Sequence, residues 1–213
     1  MTTIAIFGAS GQTGKQLTEQ ALKQGYQVKA LVRNPAKLVE RDPNLQVIQG
    51  DLTDPAKVEE TVRGTDAVLS VIGAAKGSPS DIKVVATRNI DAAMKKTGVK
   101  RVIRLSSAPF SETEPGDALS LGQRLMATMA KTMMASAVTD ERQSAALTRQ
   151  SGLDWTLVRA MGPLNSKPAT GRYQAGRMGV EVKGRITRAD LARFMLDELK
   201  NGQFVRQAPV VGS

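Results

Sequence analysis

The sequence predicts a doubly wound α/β fold with a parallel sheet, built as one domain over residues 1–213. Three observations predict it. Short Val/Ile/Leu-rich runs alternate with amphipathic stretches from the N-terminus onward, the pattern of a parallel sheet covered on both faces. The first run enters a glycine loop that opens directly onto a helix. The apolar fraction is 41% with only 3% aromatics, so a chain of 213 residues can bury one sizeable, mostly aliphatic core.

Each element has its own signal. Thr3–Phe7 is an apolar strand, and the loop Gly8–Gly14 leads into a helix at about 13–24. Val28–Val32, Gln46–Gln49, Ala67–Ile72, Val99–Leu105 and Trp155–Arg159 read as strands two to six. Helical stretches lie near 55–63, 80–97 and 139–151. Right-handed crossovers then give the strand order 3-2-1-4-5-6. A last helix at about 187–200 follows Thr187, a good N-cap, and Gln207–Val211 is expected as an edge strand.

Residues 109–138 interrupt this alternation as an insertion near the substrate side. A polar, turn-rich stretch, Pro109 to Asp117, precedes Leu121, Leu125, Met126, Met129, Ala130, Met133 and Met134 at helical spacing. Arg124 and Lys131 are the only charges of this helical part, and four of the nine methionines sit in it. Two readings stand: a helix packed on the core or on another subunit, or an adaptable wall over a substrate site.

Composition removes several chemistries. The chain has no histidine and no cysteine. That excludes imidazole acid–base work, disulfides and thiolate nucleophiles, and a catalytic metal is not expected. No apolar run approaches the roughly 20 residues a membrane helix needs, and the fold begins at once, so a cytoplasmic protein, monomeric or homodimeric, is expected. The net charge is +10, and residues 159–206 carry ten Lys/Arg against four acids. This is either a soluble basic surface or a field that draws in anionic ligands. No basic run is interleaved with aromatics, so the charge supports a nucleic acid partner only weakly and none is expected.

The motifs point to a dinucleotide. Gly8-x-x-Gly11-x-x-Gly14 sits between a strand and a helix, where glycines allow a tight turn and close approach to a pyrophosphate, and the helix start supplies free N–H groups. The second strand ends at Arg33. An acidic residue here would accept from a ribose 2′-hydroxyl, whereas arginine pairs with a 2′-phosphate and favours NADP(H), with Lys37 nearby to assist. The other reading of Arg33 is a solvated strand end. Asp51 and Leu52 follow the third strand. Asp51 either accepts from the adenine amine, with Leu52 on the ring, or caps a helix. Ile72, Gly73 and Ala74 end the fourth strand, where small residues let a cofactor approach. Ser106 and Ser107 end the fifth at the carboxyl edge where ligands bind. A hydroxyl there can donate to a carbonyl or hold a nicotinamide amide; the other reading is a turn serine.

Together these residues resemble the atypical short-chain dehydrogenase/reductases of the NmrA-like group, and within it the biliverdin-IXβ/flavin reductases. The likeness covers nearly the whole chain. It runs from Ile4–Gly14 through Leu31-Val32-Arg33, Gly50-Asp51, Arg88-Asn89-Ile90 and Ser106-Ser107-Ala108 to Ser151-Gly152-Leu153, Thr170–Tyr173 and Ala189–Leu196. The resemblance implies that Gly8, Ser10, Gly11, Gln12, Thr13 and Gly14 hold the phosphates, Arg33 the 2′-phosphate, and Asp51 and Leu52 the adenine. It matches Ser107 to the active-site serine of the flavin reductases.

The departures narrow the chemistry. Only Tyr26 and Tyr173 are present, followed four residues on by Ala30 and Arg177, so the Tyr-x-x-x-Lys motif of ordinary short-chain dehydrogenases is absent. Where the reductases carry a histidine after the sixth strand, this chain reads Met161-Gly162-Pro163. A planar conjugated acceptor (a flavin, a quinone or a linear tetrapyrrole) can be reduced mainly by proximity and orientation, and NADPH-dependent reduction of such an acceptor is the expected function. Arg159, Arg172 and Arg177 are candidates to anchor its acidic groups, or else surface charges. The alternative is a non-catalytic NADP(H) sensor of the NmrA-like type.

Overall fold

The computed structural model describes residues 1–38, 41–73, 77–162, 164–182 and 184–213, with the backbone alone at 123, 126, 127, 130 and 131. The candidate Ala74 and Pro163 lie outside the described residues.

Alternation along the first strand, β1 (Thr3–Phe7), sets the two layers of the core. Ile4 and Ile6 pack into one apolar cluster, Ala5 and Phe7 into the other, and all four are fully buried because successive strand side chains point to opposite faces. The first cluster lies under α1 (Gln12–Lys23) and α6 (Arg188–Asn201), with Leu17, Leu191, Phe194 and Met195. The second lies under α2 (Pro55–Val62), α3 (Ile82–Thr97) and α5 (Ala135–Gln150), with Val58, Ile90, Met94 and Ala145.

The sheet runs β3-β2-β1-β4-β5-β6-β8-β7. Here β2 is Gln27–Val32, β3 Leu45–Gln49, β4 Ala67–Ser70, β5 Arg101–Ser107, β6 Asp154–Ala160, β7 Gln174–Gly176 and β8 Val210–Gly212. All pairings but the last are parallel, so the expected order 3-2-1-4-5-6 holds. One detail differs at the far side. The C-terminal strand β8 lies inside the sheet, because β7 pairs antiparallel with its outer flank and takes the edge. With three residues, β7 is too short to show alternation in the sequence.

Helix boundaries follow local chemistry. Thr187 caps α6, its hydroxyl accepting from the Asp190 N–H at 3.0 Å. Asp54 caps α2, accepting from the Ala56 and Lys57 amides. Helix α3 has no cap from its own Asp81. Instead Asp140 of α5 accepts from the Lys83 and Val84 N–H groups at 3.1 and 2.9 Å. That cross-helix cap explains why α5 carries a buried acid, and it starts α3 at Ile82.

The insertion divides into a pinned loop and a projecting helix. Asp117 is fully buried at its side chain, and its Oδ2 meets Arg159 Nη1 at 2.6 Å. It also accepts from the Glu114 and Met178 amides. After this loop, α4 (Leu121–Met133) presents Leu121, Leu125, Met129 and Met133 as exposed side chains, 84, 62, 52 and 78% accessible. The helical spacing is therefore present, but these residues do not pack on the core.

Candidate active site

Two hollows lie side by side along the carboxyl edge of the sheet and share part of their lining. The smaller, of about 160 Å³, is lined by Gly8, Ser10, Gly11, Arg33, Asp51 and Leu52, with Pro79 and Ile82 opposite. The larger, of about 440 Å³, is lined by Gln12, Thr13, Leu105, Ser106, Ser107, Ala160, Gly162, Leu164, Lys83 and Arg188. Gly11, Val71, Ile72 and Gly73 line both. Ligands of open α/β sheets bind outside this edge.

The glycine loop shows why it must be glycine. Gly8 has φ +88°, and a Cβ there would sit 2.9 Å from the Val71 carbonyl oxygen. At Gly14 a Cβ would fall 2.0 Å from the Gly8 carbonyl oxygen, so this glycine seats α1 against the loop. Gly11 starts α1 with extended backbone, and no side chain accepts from the first turn. The chain thus leaves a cradle of backbone N–H groups open at the mouth of both hollows.

Arg33 is exposed at the end of β2 and has no ion-pair partner among the described residues. Asp51 Oδ1 accepts from the Thr53 amide at 2.9 Å and from its hydroxyl at 2.7 Å. These bonds, with the charge of Arg33, hold its carboxyl below the usual range. Asp51 is therefore not the cap of α2, which is Asp54, and it lines the smaller hollow beside Arg33.

At the other end, β5 closes on Ser106 and Ser107, so both are strand residues rather than part of a following turn. Ser106 is only 2% exposed, and its hydroxyl has no hydrogen-bond partner among the described residues. An unpaired buried hydroxyl costs stability, and this one borders the cleft. A Cβ-free cradle at one end and an unpaired hydroxyl at the other both fit a bound dinucleotide. Ser107 is half-buried and lines the same cleft.

The three substrate arginines expected from sequence are not brought together here. Arg159 is buried, and its guanidinium bonds Asp117 and the Ala208 carbonyl. It cannot anchor an acceptor, because its donors already hold the 109–117 loop. Arg177 is an exposed partner of Glu181, with Nε–Oε1 at 2.9 Å. Arg172 is exposed, and neither it nor Arg177 lines the cleft. Tyr173 also faces elsewhere: its hydroxyl donates to Asp197 at 2.7 Å, and burial with that carboxylate pushes it up to about 12.

Two cleft residues escaped the sequence reading, Lys83 and Arg188. Each sits in the first turn of a helix that follows the carboxyl edge. A basic residue one turn into such a helix was the available signal. Arg188 Nη1 donates to the Ser166 hydroxyl at 2.9 Å, and Lys83 Nζ pairs with Glu141 Oε2 at 2.5 Å.

A glycine cradle, a cation where the second strand ends and paired serines on the fifth define a dinucleotide-binding α/β protein. The chain belongs to the NAD(P)H-binding family, matching it over residues 8–202. An uncharacterised chloroplastic protein of Arabidopsis thaliana is 30% identical over 206 residues, covering 92% of this chain and 71% of the relative. A (4-alkanoyl-5-oxo-2,5-dihydrofuran-3-yl)methyl phosphate reductase of Streptomyces griseus is 29% identical over 156 residues, 73% of this chain and 46% of that protein. Among solved structures, ChuY, an anaerobilin reductase from Escherichia coli O157:H7, shares the fold. Its TM-score is 0.78 at 24% identity, over 99% of this chain and 97% of that one.

Proposed function

We propose that the protein is an NADPH-dependent reductase of a planar conjugated acceptor, a flavin, a quinone or a linear tetrapyrrole. The observation that carries the proposal is that the two hollows are neighbours sharing Gly11, Val71, Ile72 and Gly73 in their linings. An adenosine end at Arg33 and a reactive end at Ser106 and Ser107 then belong to one site. That a relative and a structural neighbour are both reductases supports the same reading.

Each end has its own task. Gly8, Ser10, Gly11, Gln12, Thr13 and Gly14 surround the phosphates, and Arg33 forks onto the 2′-phosphate with charge-assisted bonds. Asp51 and Leu52 border the adenine. The reduced dinucleotide supplies two electrons and a hydrogen when bound. Ser106 holds the carboxamide at that end, and Ser107 orients the acceptor. With Arg159 occupied, Arg188 is the cleft cation free of any carboxylate among the described residues, and it anchors an acidic group of the acceptor. We place this activity in the cytoplasm.

NADPH absorbance followed with FMN, FAD, several quinones and a linear tetrapyrrole tests the proposal. The expected result is oxidation well above background with at least one of them. Tight NADPH binding with no oxidation by any acceptor would leave the second reading, a non-catalytic dinucleotide sensor. The exposed stripe Leu121, Leu125, Met129 and Met133 favours that second reading, because it offers a partner surface.

A further inference from the structure

We infer that Lys83, held in place by Glu141, delivers the proton that completes reduction of the acceptor; this rests on the reductase reading above. A conjugated acceptor that gains two electrons and one hydrogen is left with an extra electron pair on an oxygen or nitrogen at the far end of its conjugation. Either water or a group of the protein must protonate that atom. The chain has no histidine and no cysteine, and neither tyrosine lines the cleft.

Among the described residues, the cleft lining contains two ionisable side chains, Lys83 and Arg188. A guanidinium does not release its proton in proteins, whereas an ammonium can. Among the side chains of the cleft, elimination therefore leaves Lys83. Its position is built rather than incidental. Its backbone N–H is tied to Asp140, its Nζ meets Glu141 at 2.5 Å, and the Glu141 side chain is only 5% exposed. A buried carboxylate beside a partly buried lysine restrains the Lys83 side chain, and Lys83 lines both the cleft and the small hollow that Glu141 borders. The other charges around it are Arg104 on β5, Asp81 just before α3 and Arg188 across the cleft.

The step balances as follows. The dihydronicotinamide is oxidised and the acceptor is reduced. One Nζ–H bond of Lys83 breaks and an O–H or N–H bond of the acceptor forms. The ammonium becomes an amine, regains a proton from solvent, and Glu141 stays a carboxylate throughout. Lys83 is then the catalytic residue, and Glu141 is a positioning residue.

Lys83→Arg tests this while keeping both the charge and the pair with Glu141. Turnover should fall about a hundredfold, the low end of general-acid catalysis, with the NADPH dissociation constant and the melting temperature unchanged. The wild type should also show an alkaline limb in its pH–rate profile that Lys83→Arg lacks. The double variant Lys83→Met/Glu141→Leu, which removes both charges, should show the same loss. A readout without turnover is p-nitrophenol bound to the NADP⁺-loaded protein. The wild type and Lys83→Arg should shift it toward the coloured phenolate, and Lys83→Met should not. Turnover in Lys83→Arg within about twofold of the wild type, or no phenolate shift in the wild type, overturns the assignment. Failure of the wild type to oxidise NADPH with any of the acceptors overturns the reductase reading itself, and the donor role with it.

Discussion

The nucleotide half and the acceptor half of this molecule are built by different means. Around the nucleotide cradle the chain uses backbone: glycines without Cβ, helix starts and strand ends. From 108 to 187 it uses buried charge. Arg159 with Asp117, and Asp190 with Thr170, Gly171 and Thr187, hold loops that have little apolar core of their own. Backbone geometry is visible in sequence as glycine spacing. Ion pairs between distant residues are not. That difference explains why one half is easily read and the other was misjudged at Arg159.

The contrast can be broken most severely at Arg159. Arg159→Met leaves Asp117 buried without its partner, and chemical denaturation should show a loss of about 3–5 kcal/mol. A loss below about 1 kcal/mol would show that the loop does not depend on buried charge. In the other half, Gly14→Ala drives a Cβ into the Gly8 carbonyl, and stability should fall by about 3 kcal/mol with NADPH binding weakened.

Arg33→Asp acts on binding alone. It should weaken NADPH by about ten- to a hundredfold, as expected for a lost charged hydrogen bond, and change NADH little. Equal effects on the two cofactors in a fluorescence titration would remove the 2′-phosphate role.

Acid titration sharpens the comparison further. Burial pushes the Asp190 carboxyl up, but its bonds from Thr170, Thr187 and Gly171 outweigh this and hold it below the ordinary range. Asp117 is held low in the same way by Arg159 and two amides. A depressed carboxyl adds stability that is complete above its unfolded value, about 3.9, and is lost as pH falls through the lower folded value. Stability should therefore drop below about pH 4, and less steeply in Asp190→Asn than in the wild type. The smallest effect belongs to the projecting helix. Leu125→Ser with Met129→Ser should change stability by no more than about 0.5 kcal/mol, because both side chains are already exposed.

Much of the fold was legible because each strand of the parallel sheet is a short apolar run between turn residues. The glycine loop, Arg33 and the serines of β5 were legible for a related reason: the topology puts the ends of the parallel strands on one edge. Lys83 and Arg188 were not singled out, since a lysine or arginine in a first turn looks like solvent-facing charge until the cleft is seen. The Asp140 cap of α3 joins residues more than fifty apart, and no local pattern announces it. Exposure of the α4 stripe was also hidden, because apolar helical spacing looks the same whether the face is covered or open.

The most direct test of the central claim is a crystal structure of the protein with NADP⁺. The account predicts the 2′-phosphate on Arg33, the pyrophosphate over Gly8–Gly14, and the nicotinamide in the cleft beside Ser106 and Ser107, within reach of Lys83. A dinucleotide whose nicotinamide lies outside that cleft, or whose 2′-phosphate faces solvent away from Arg33, would contradict it.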